Sequence, residues 1–514
     1  MKLTQRVRHL AAAITGRVQH GKVSVRYAGA EHSRIVSQWF TDLADPNEKL
    51  KGALSTLRSR SRQLVDDNGE AAGLLLDFES DIVGASGARL QFRARTPRGL
   101  PRDVLNDRVE AAWLAWCGRD TCTLAGYESF AALQRLMIRT IIMDGEFLAL
   151  RVRGADNAFG YALQPIDADQ LDETHNRASI GGQNAIIMGV EIDPSGRPVA
   201  YHVWDRHPSL SGRVRRSIPA RDVLHVFKRV RPSQVRGIPW FAPALVTWKL
   251  GDRYTEAELY QSLLAAAQGG FFVNKDGSSF TPQLDADGNA IPLVMEAVPG
   301  QATALPSGYE FQPWQPMHPT ANYVGFMKVV KRVISRAFGR SYASLTGDLS
   351  DVNFSSMRTD RVREMGQSRM HQSGILVEQF CAVIFADWVS TATLAGKLGA
   401  VTMDSATIAG FASWMCTGWP WIDPVKDATA AAMEINMGLN SPQRVCAERG
   451  RDFYEIIDEL ADAKAYALLK GVTLESIPLA IAITTDASAD PDRDGDDTTT
   501  TGRDVLPLRI KGAA

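Results

Sequence analysis

The 514-residue chain is longer than one hydrophobic core usually organises, so about three structural regions are expected rather than one compact enzyme domain. Its 45% hydrophobic and 22% charged residues suit a folded protein, and a formal charge of -1 excludes global attraction to nucleic acid, so any polyanion must be held by local charge. Five cysteines, odd in number and mostly far apart, argue against a disulfide framework and fit synthesis in a host cytoplasm.

Residues 1–38 are basic and weakly periodic, a composition for a mobile arm, and the apolar run Leu10 to Ile14 is too short for a signal peptide. From Glu48 to Val83 apolar positions recur at helical spacing, with Ser59, Arg60, Ser61 and Arg62 on the polar side. Between 88 and 230 the pattern turns mixed. Helices are expected over Pro101 to Trp116 and Ser129 to Met143, and β-runs over Phe147 to Val152 and Val199 to Trp204. Cys117 and Cys122 have no second Cys or His pair at metal spacing, so packed thiols are expected and no zinc. Asp167, Asp169, Asp172 and Glu173 with His175 admit a metal or acid/base site. No distant group converges on them in sequence, which favours a solvated turn.

Pro239 and Pro243 introduce a long helix, Ala244 to Gln268, stopped by Gly269 and Gly270. The Gly- and Pro-rich stretch Phe271 to Pro319 reads as a small projecting β unit, followed by a helix from Thr320 to Phe338 that Gly339 ends. A polar loop runs from Arg340 to Asn353, then a long helix from Ser356 to about Leu398. Its most apolar part, Val377 to Leu398, is interrupted by Asp387 and Lys397, as in a buried helix and not a membrane span. Three short helices follow: Asp423-Pro424 to Gly438, Ser441-Pro442 to Gly450, and one opened by a capping box of Asp452 with Glu455 and ending near Gly471. After Thr484 the Asp- and Thr-rich tail should be disordered. Asp490, Asp492, Asp494 and Gly495 imitate half an EF-hand loop, but Thr501 stands where the bidentate Glu belongs, so no calcium is expected.

No phosphate-binding loop, nucleophile elbow or zinc-protease helix is present, which lowers the prospect of a DNA-processing enzyme, whether nuclease or packaging ATPase. Nor does a helix-turn-helix with a basic recognition helix stand out. The sharpest signal is on the second of the paired helices. Lys328, Arg332, Arg336 and Arg340 recur every four residues with Lys331 beside them, and no acid occurs from Phe311 through Gly347. Phe326, Val330, Val333, Ile334 and Ala337 fall on the other side, giving an amphipathic helix with a cationic ridge. A charge run is ordinarily a solvated stripe, but a one-sign ridge repels itself unless a polyanion or solvent lies near.

Three segments carry a family resemblance. They are the run Leu57 to Leu64 with Arg58, Arg60, Ser61 and Arg62, continuing to Val83, Gly84 and Leu90; Ile218, Pro219, Ala220, Asp222, Val223, His225 and Phe227 with Arg236, Gly237, Pro239 and Trp240; and Trp421, Ile422, Asp423, Pro424 and Lys426 with Gly438, Leu439, Ser441 and Gly450. Across most of its length the chain resembles the lambda-family phage portal proteins. The resemblance implies an α+β portal fold: basic arm 1–38, mixed wing 39–239, first stem helix 240–270, small β clip 271–318, second stem helix 319–339, tunnel loop 340–354, long wing helix 355–400, helical crown 401–483 and tail 484–514. Leu345, Thr346, Gly347, Asp348 and Leu349 would belong to the tunnel loop, and Lys328, Lys331, Arg332, Arg336 and Arg340 would face DNA in the channel. It further implies a self-assembled ring of about twelve subunits at one capsid vertex. Double-stranded DNA would pass through without sequence reading, and the large terminase subunit, capsid and scaffolding proteins and head-tail joining proteins would be partners. No cofactor, metal or membrane is implied. The ridge could face the channel or a neighbouring subunit, and the sequence leaves both directions open.

Overall fold

The computed structural model describes residues 43–95, 102–267, 270–274, 287, 309–313, 322–350, 352–399, 403–420 and 423–472. The basic arm, most of the expected clip and the acidic tail lie outside them. In chain order the strands are β1 (Arg89–Phe92), β2 (Glu146–Arg153), β3 (Tyr161–Ile166), β4 (Ala185–Ile187), β5 (Val190–Ile192), β6 (Pro198–Trp204), β7 (Arg215–Pro219), β8 (Val223–Phe227), β9 (Gly270–Asn274), β10 (Tyr309–Pro313) and β11 (Ala412–Met415). Helices and sheets together make an α+β chain that divides into two compact units.

The first unit takes residues up to Gly69, Thr140–Val152 and Leu163–Arg253. It holds a sheet of order β3-β2-β8 and an antiparallel sheet of order β4-β5-β6-β7. Leu148, Val190, Tyr201, Val203 and Val223, from strands of both sheets, form a core with Leu171. The helix Leu54–Asp67 docks Leu54 beside Leu50, Met188 and Val235.

A buried polar knot sits within this unit. Glu146, at the start of β2, has no exposed surface. It accepts hydrogen bonds from Arg236 Nε at 2.9 and 3.0 Å, His225 Nε2 at 3.1 Å and the Gly237 amide at 2.8 Å. Burial alone would push its carboxyl up, but Arg236 and His225 hold it well below the usual range. Arg236 also donates to the carbonyl of Met188, which has a left-handed φ of 46°, so one guanidinium stabilises a strained backbone position as well as a charge. The knot closes because two glycines let backbones meet. Gly145 has φ 95°, and a Cβ on Gly237 would collide with the Gly145 carbonyl.

The second unit takes Glu70–Arg139, Arg153–Ala162 and residues from Tyr254 onward. Its core is aromatic. Trp113 stacks on Trp116 at 4.8 Å and meets Phe385, Trp388 and Trp414 edge-on at 5.2, 5.1 and 5.8 Å. The Trp116 indole donates to the Tyr161 carbonyl at 2.8 Å, so its polar end is satisfied. All five cysteines are free thiols, and burial pushes the Cys122 thiol up to about 12.

The long helix begins where the Asn353 side chain caps the Ser356 amide and runs as α-helix Phe354–His371, π-helix Gln372–Cys381 and α-helix Ala382–Leu394. Its stop comes earlier than the expected Leu398, since Gly396 turns left-handed at φ 71°. By length and composition Ser355–Leu394 could cross a membrane. Half of its most apolar window is buried, however, and Leu376, Phe380, Ile384, Phe385 and Trp388 fill the aromatic core, as in a core helix.

Beyond it the sequence pointed to helices alone, yet β11 pairs antiparallel with β1, Trp414 opposite Leu90. The pairing is long-range, and a four-residue strand leaves little periodicity to read. The three C-terminal helices are Pro424–Asn436, Pro442–Glu448 and Phe453–Leu469. Asp423, Ser441 and Asp452 cap them as expected, but the capping box is corrected. Glu455 does not return to Asp452; it forms an ion pair with Arg89 at 2.9 Å.

Gly237→Ala should destabilise the first unit by roughly 1–3 kcal/mol through overpacking, read as a lower denaturation midpoint. A carboxyl with a depressed folded pKa contributes stability above its unfolded pKa and loses it as pH falls through the folded value. Glu146→Gln is therefore expected to lower stability at neutral pH and to flatten the acid limb of a stability-against-pH curve. An unchanged acid limb would remove Glu146 from the linkage.

Candidate nucleic-acid interface

The basic helix spans Tyr323–Ala337 in the second unit. Gly339, with φ 71°, ends it, and a Cβ there would strike the Gln367 side chain. Around the axis the helix has three flanks. Met327, Ile334, Ser335 and Phe338 are buried, and Phe338 meets Phe78 at 6.5 Å. Lys328, Arg332 and Arg336 follow at four-residue steps on a second flank, where Arg332 and Arg336 are exposed. Val329 and Val333, 56% and 58% exposed, form a third with Phe326. The expected division into one packed apolar side and one wet basic side is thus corrected. Of the residues expected on the packed side, Phe326, Val333 and Ala337 lie uncovered and only Ile334 is buried.

The ridge is also shorter than its sequence spacing suggested. Arg340 is 3% exposed; its Nη1 donates to Asp81 Oδ2 at 2.6 Å, and its guanidinium lies 4.3 Å from the Phe78 ring centre. Lys331 is held by Glu70. These two depart from the expected DNA-facing set because acids distant in sequence neutralise them. Arg332 rests over the Tyr342 ring at 5.7 Å, leaving Arg332 and Arg336 as the exposed cations of the ridge, with half-buried Lys328 beside them.

Asp81 also accepts from Arg361 at 3.0 Å and the Trp419 indole at 3.2 Å. Gln372 donates to the Asp81, Ile82 and Thr417 carbonyls. Neither Asp81 nor Glu364 was singled out in the sequence. The readable sign was Asp77 and Asp81, four residues apart and so on one face of the helix Gly69–Ile82.

The segment after Arg340 is not all loop. Ser341 caps a short helix, Tyr342–Thr346, and Glu364 accepts the Ser341 amide at 2.8 Å and the Ser344 hydroxyl at 2.8 and 2.9 Å. Leu345 is buried and Thr346 bonds back to the Tyr342 carbonyl, so both are anchored. Gly347 supplies the left-handed turn, φ 70°, and Leu349 is exposed. The Ser350 hydroxyl and amide, then Tyr342 and Lys328, hold the Asp348 carboxyl below its usual range.

In the first unit the acid stretch 167–173 departs from a solvated turn. Arg58, 2% exposed, donates to Asp169 at 2.7 Å and Glu173 at 3.0 Å. Arg62 reaches Asp144 at 2.7 Å, Asp169 at 2.5 Å and Asp167 at 3.1 Å. Arg58 and Ser61 are both buried, so Ser61 departs from the expected polar side. Asp172 is buried too and pairs with Arg215 at 2.9 Å. Ligand atoms of Asp167, Asp169 and His207 lie within 4.8 Å of one another, close enough to hold a cation. Two guanidiniums already occupy that charge, so the donor set fits an ion-pair network better than a metal.

The family described as "Phage portal protein, lambda family" matches residues 32–372. The probable portal protein of Halomonas phage phiHAP-1 is 28% identical over 456 residues, covering 84% of this chain and 85% of that protein. Portal protein B of Escherichia phage lambda is 22% identical, covering 80% of this chain and 84% of that protein. Among solved structures, the neck of an empty GTA particle computed with C6 symmetry gives a TM-score of 0.40 at 15% identity, covering 76% of this chain and 93% of that one. The virion of a native gene transfer agent particle gives 0.40 at 14% identity, covering 76% and 92%. The match spans well over half of the sequence: the chain belongs to the lambda family of phage portal proteins.

Proposed function

We propose that this portal ring subunit conducts double-stranded DNA into and out of a capsid by non-specific electrostatic contact, with Lys328, Arg332 and Arg336 on the DNA side. The family is one of structural virion proteins that form rings, not an enzyme family. One observation carries the reading: a single helix has an exposed basic flank beside an exposed apolar flank. An uncovered apolar strip on a folded unit seeks a partner surface, and a neighbouring copy supplies one. The adjacent cations then repeat around the ring as a diffuse band. Phosphate contacts of that kind hold a duplex without fixing its register, so neighbouring positions along DNA are nearly equal in energy and sliding is permitted.

In this reading the mixed region before residue 240 is the wing, and the helices Leu245–Ala267 and Tyr323–Ala337 are the stem. They pack through Tyr254, which meets Tyr323 at 5.7 Å and Phe326 at 5.3 Å. The antiparallel pair β9-β10 between them is the base of the clip. Residues 340–354 are the tunnel loop, with only Gly347 to Asn353 free of the anchored short helix. The helical segments from Ser405 onward, with β11, form the crown. A packaging ATPase docks on the clip, while capsid, scaffolding and head-tail joining proteins meet the outside of the ring.

Electron microscopy of the purified chain should show closed rings with a central hole that admits duplex DNA; a stable monomer under every condition would overturn the reading. The triple variant K328A/R332A/R336A should assemble normally yet package or retain less DNA, with a shallower salt dependence of DNA binding. Loss of rings without a DNA defect would place these residues at the subunit interface. Arg340→Met should instead behave as a folding variant. It takes one guanidinium from Asp81, which keeps Arg361 and the Trp419 indole, and from Glu364, and is expected to lower the denaturation midpoint.

A further inference from the structure

The second unit carries a groove that the portal reading does not use. Its volume is about 820 Å³, and it lies between β1, the helix Asp103–Trp116 and the helix Phe453–Leu469. Eight of its lining residues are Asp or Glu and three are Arg. Arg89 and Arg93 satisfy Glu455, Glu110 and Asp452. The other five acids, Asp103 and Asp107 on one wall and Asp458, Glu459 and Asp462 on the other, are exposed and make no ion pair among the described residues. Leu90, Tyr454 and Ile457 add apolar surface between the walls. Five like charges across one cleft repel one another, and low-dielectric walls focus their field, so the groove is built to take a cation-rich, partly apolar occupant.

The same chain contains such a segment. Residues 1–30 hold six Lys or Arg and no Asp or Glu, with Leu10, Ile14, Val23 and Val25 among them. We infer that the acidic groove binds residues 1–30 of a neighbouring copy, as an exchanged basic strap that ties adjacent subunits together. The 42 residues before Leu43 can span up to ~140 Å when extended, so their reach is not confined to the chain's own fold. The inference rests on the ring only for placing a neighbour in reach; the groove's affinity for the segment does not require the ring.

Rings assembled from an equal mixture of isotope-labelled and unlabelled full-length chains would be treated with a zero-length carbodiimide cross-linker and analysed by mass spectrometry. Lys2 or Lys22 should join to Asp103, Asp107, Asp458, Glu459 or Asp462, in peptide pairs that mix the two labels. The D458N/E459N/D462N variant should reduce these links at least fivefold, and high salt should suppress them. Links confined to a single label, or directed chiefly to the acidic residues 486–497, would overturn the proposal. Sedimentation of the same sample reports assembly separately. Should the chain fail to form rings, anisotropy of a labelled peptide of residues 1–30 titrated with a chain lacking them still decides the matter. At least tenfold weaker binding to the triple variant supports the groove, and unchanged binding refutes it.

Discussion

One buried carboxylate organises the second unit. Asp81 lies in the last turn of the helix Gly69–Ile82, and it is the group on which Arg340, Arg361 and the Trp419 indole converge. Those partners come from the foot of the basic helix, from the long helix and from the segment after β11. The Asp81 carbonyl is taken up by Gln372 at the start of the π-helical turn. A carboxylate so enclosed depends on its donors, because each one removed leaves part of its desolvation uncompensated. The position of the short helix Tyr342–Thr346 follows from this, since Arg340 fixes its entry and Glu364 its cap.

The first unit relies on the same physics with different residues. Glu146 draws Arg236, His225 and the Gly237 amide together, and Arg58 and Arg62 draw in the acids of the segment 167–173. Networks of this sort add less net stability than an apolar core of equal volume, yet they specify one arrangement. For a subunit that must repeat identically around an axis, a uniquely specified surface matters more than a few kcal/mol.

The cations of the basic helix fall into two kinds. Arg332 and Arg336 are exposed, which in the proposed conduit leaves them available to a moving polyanion, whereas Arg340 is held in a buried ion pair. The family relationship gives the chain a structural, portal role.

Much was legible in the sequence because it was written locally. Apolar periodicity located the paired helices and the long helix, and Asp423-Pro424, Ser441-Pro442 and Asp452 marked helix starts to within a residue, since caps are decided by neighbours in the chain. The family was legible from motifs spread over most of the chain. What only the tertiary structure decided was which charges are free. The stretch from Phe311 to Gly347 contains no acid, yet Glu70 and Asp81 reach Lys331 and Arg340 from another helix. Likewise the acids 167–173 look solvated until a helix more than a hundred residues earlier brings Arg58 and Arg62 onto them. Backbone pattern is a short-range property, whereas ionic neutralisation depends on distance in space, and folding sets that distance.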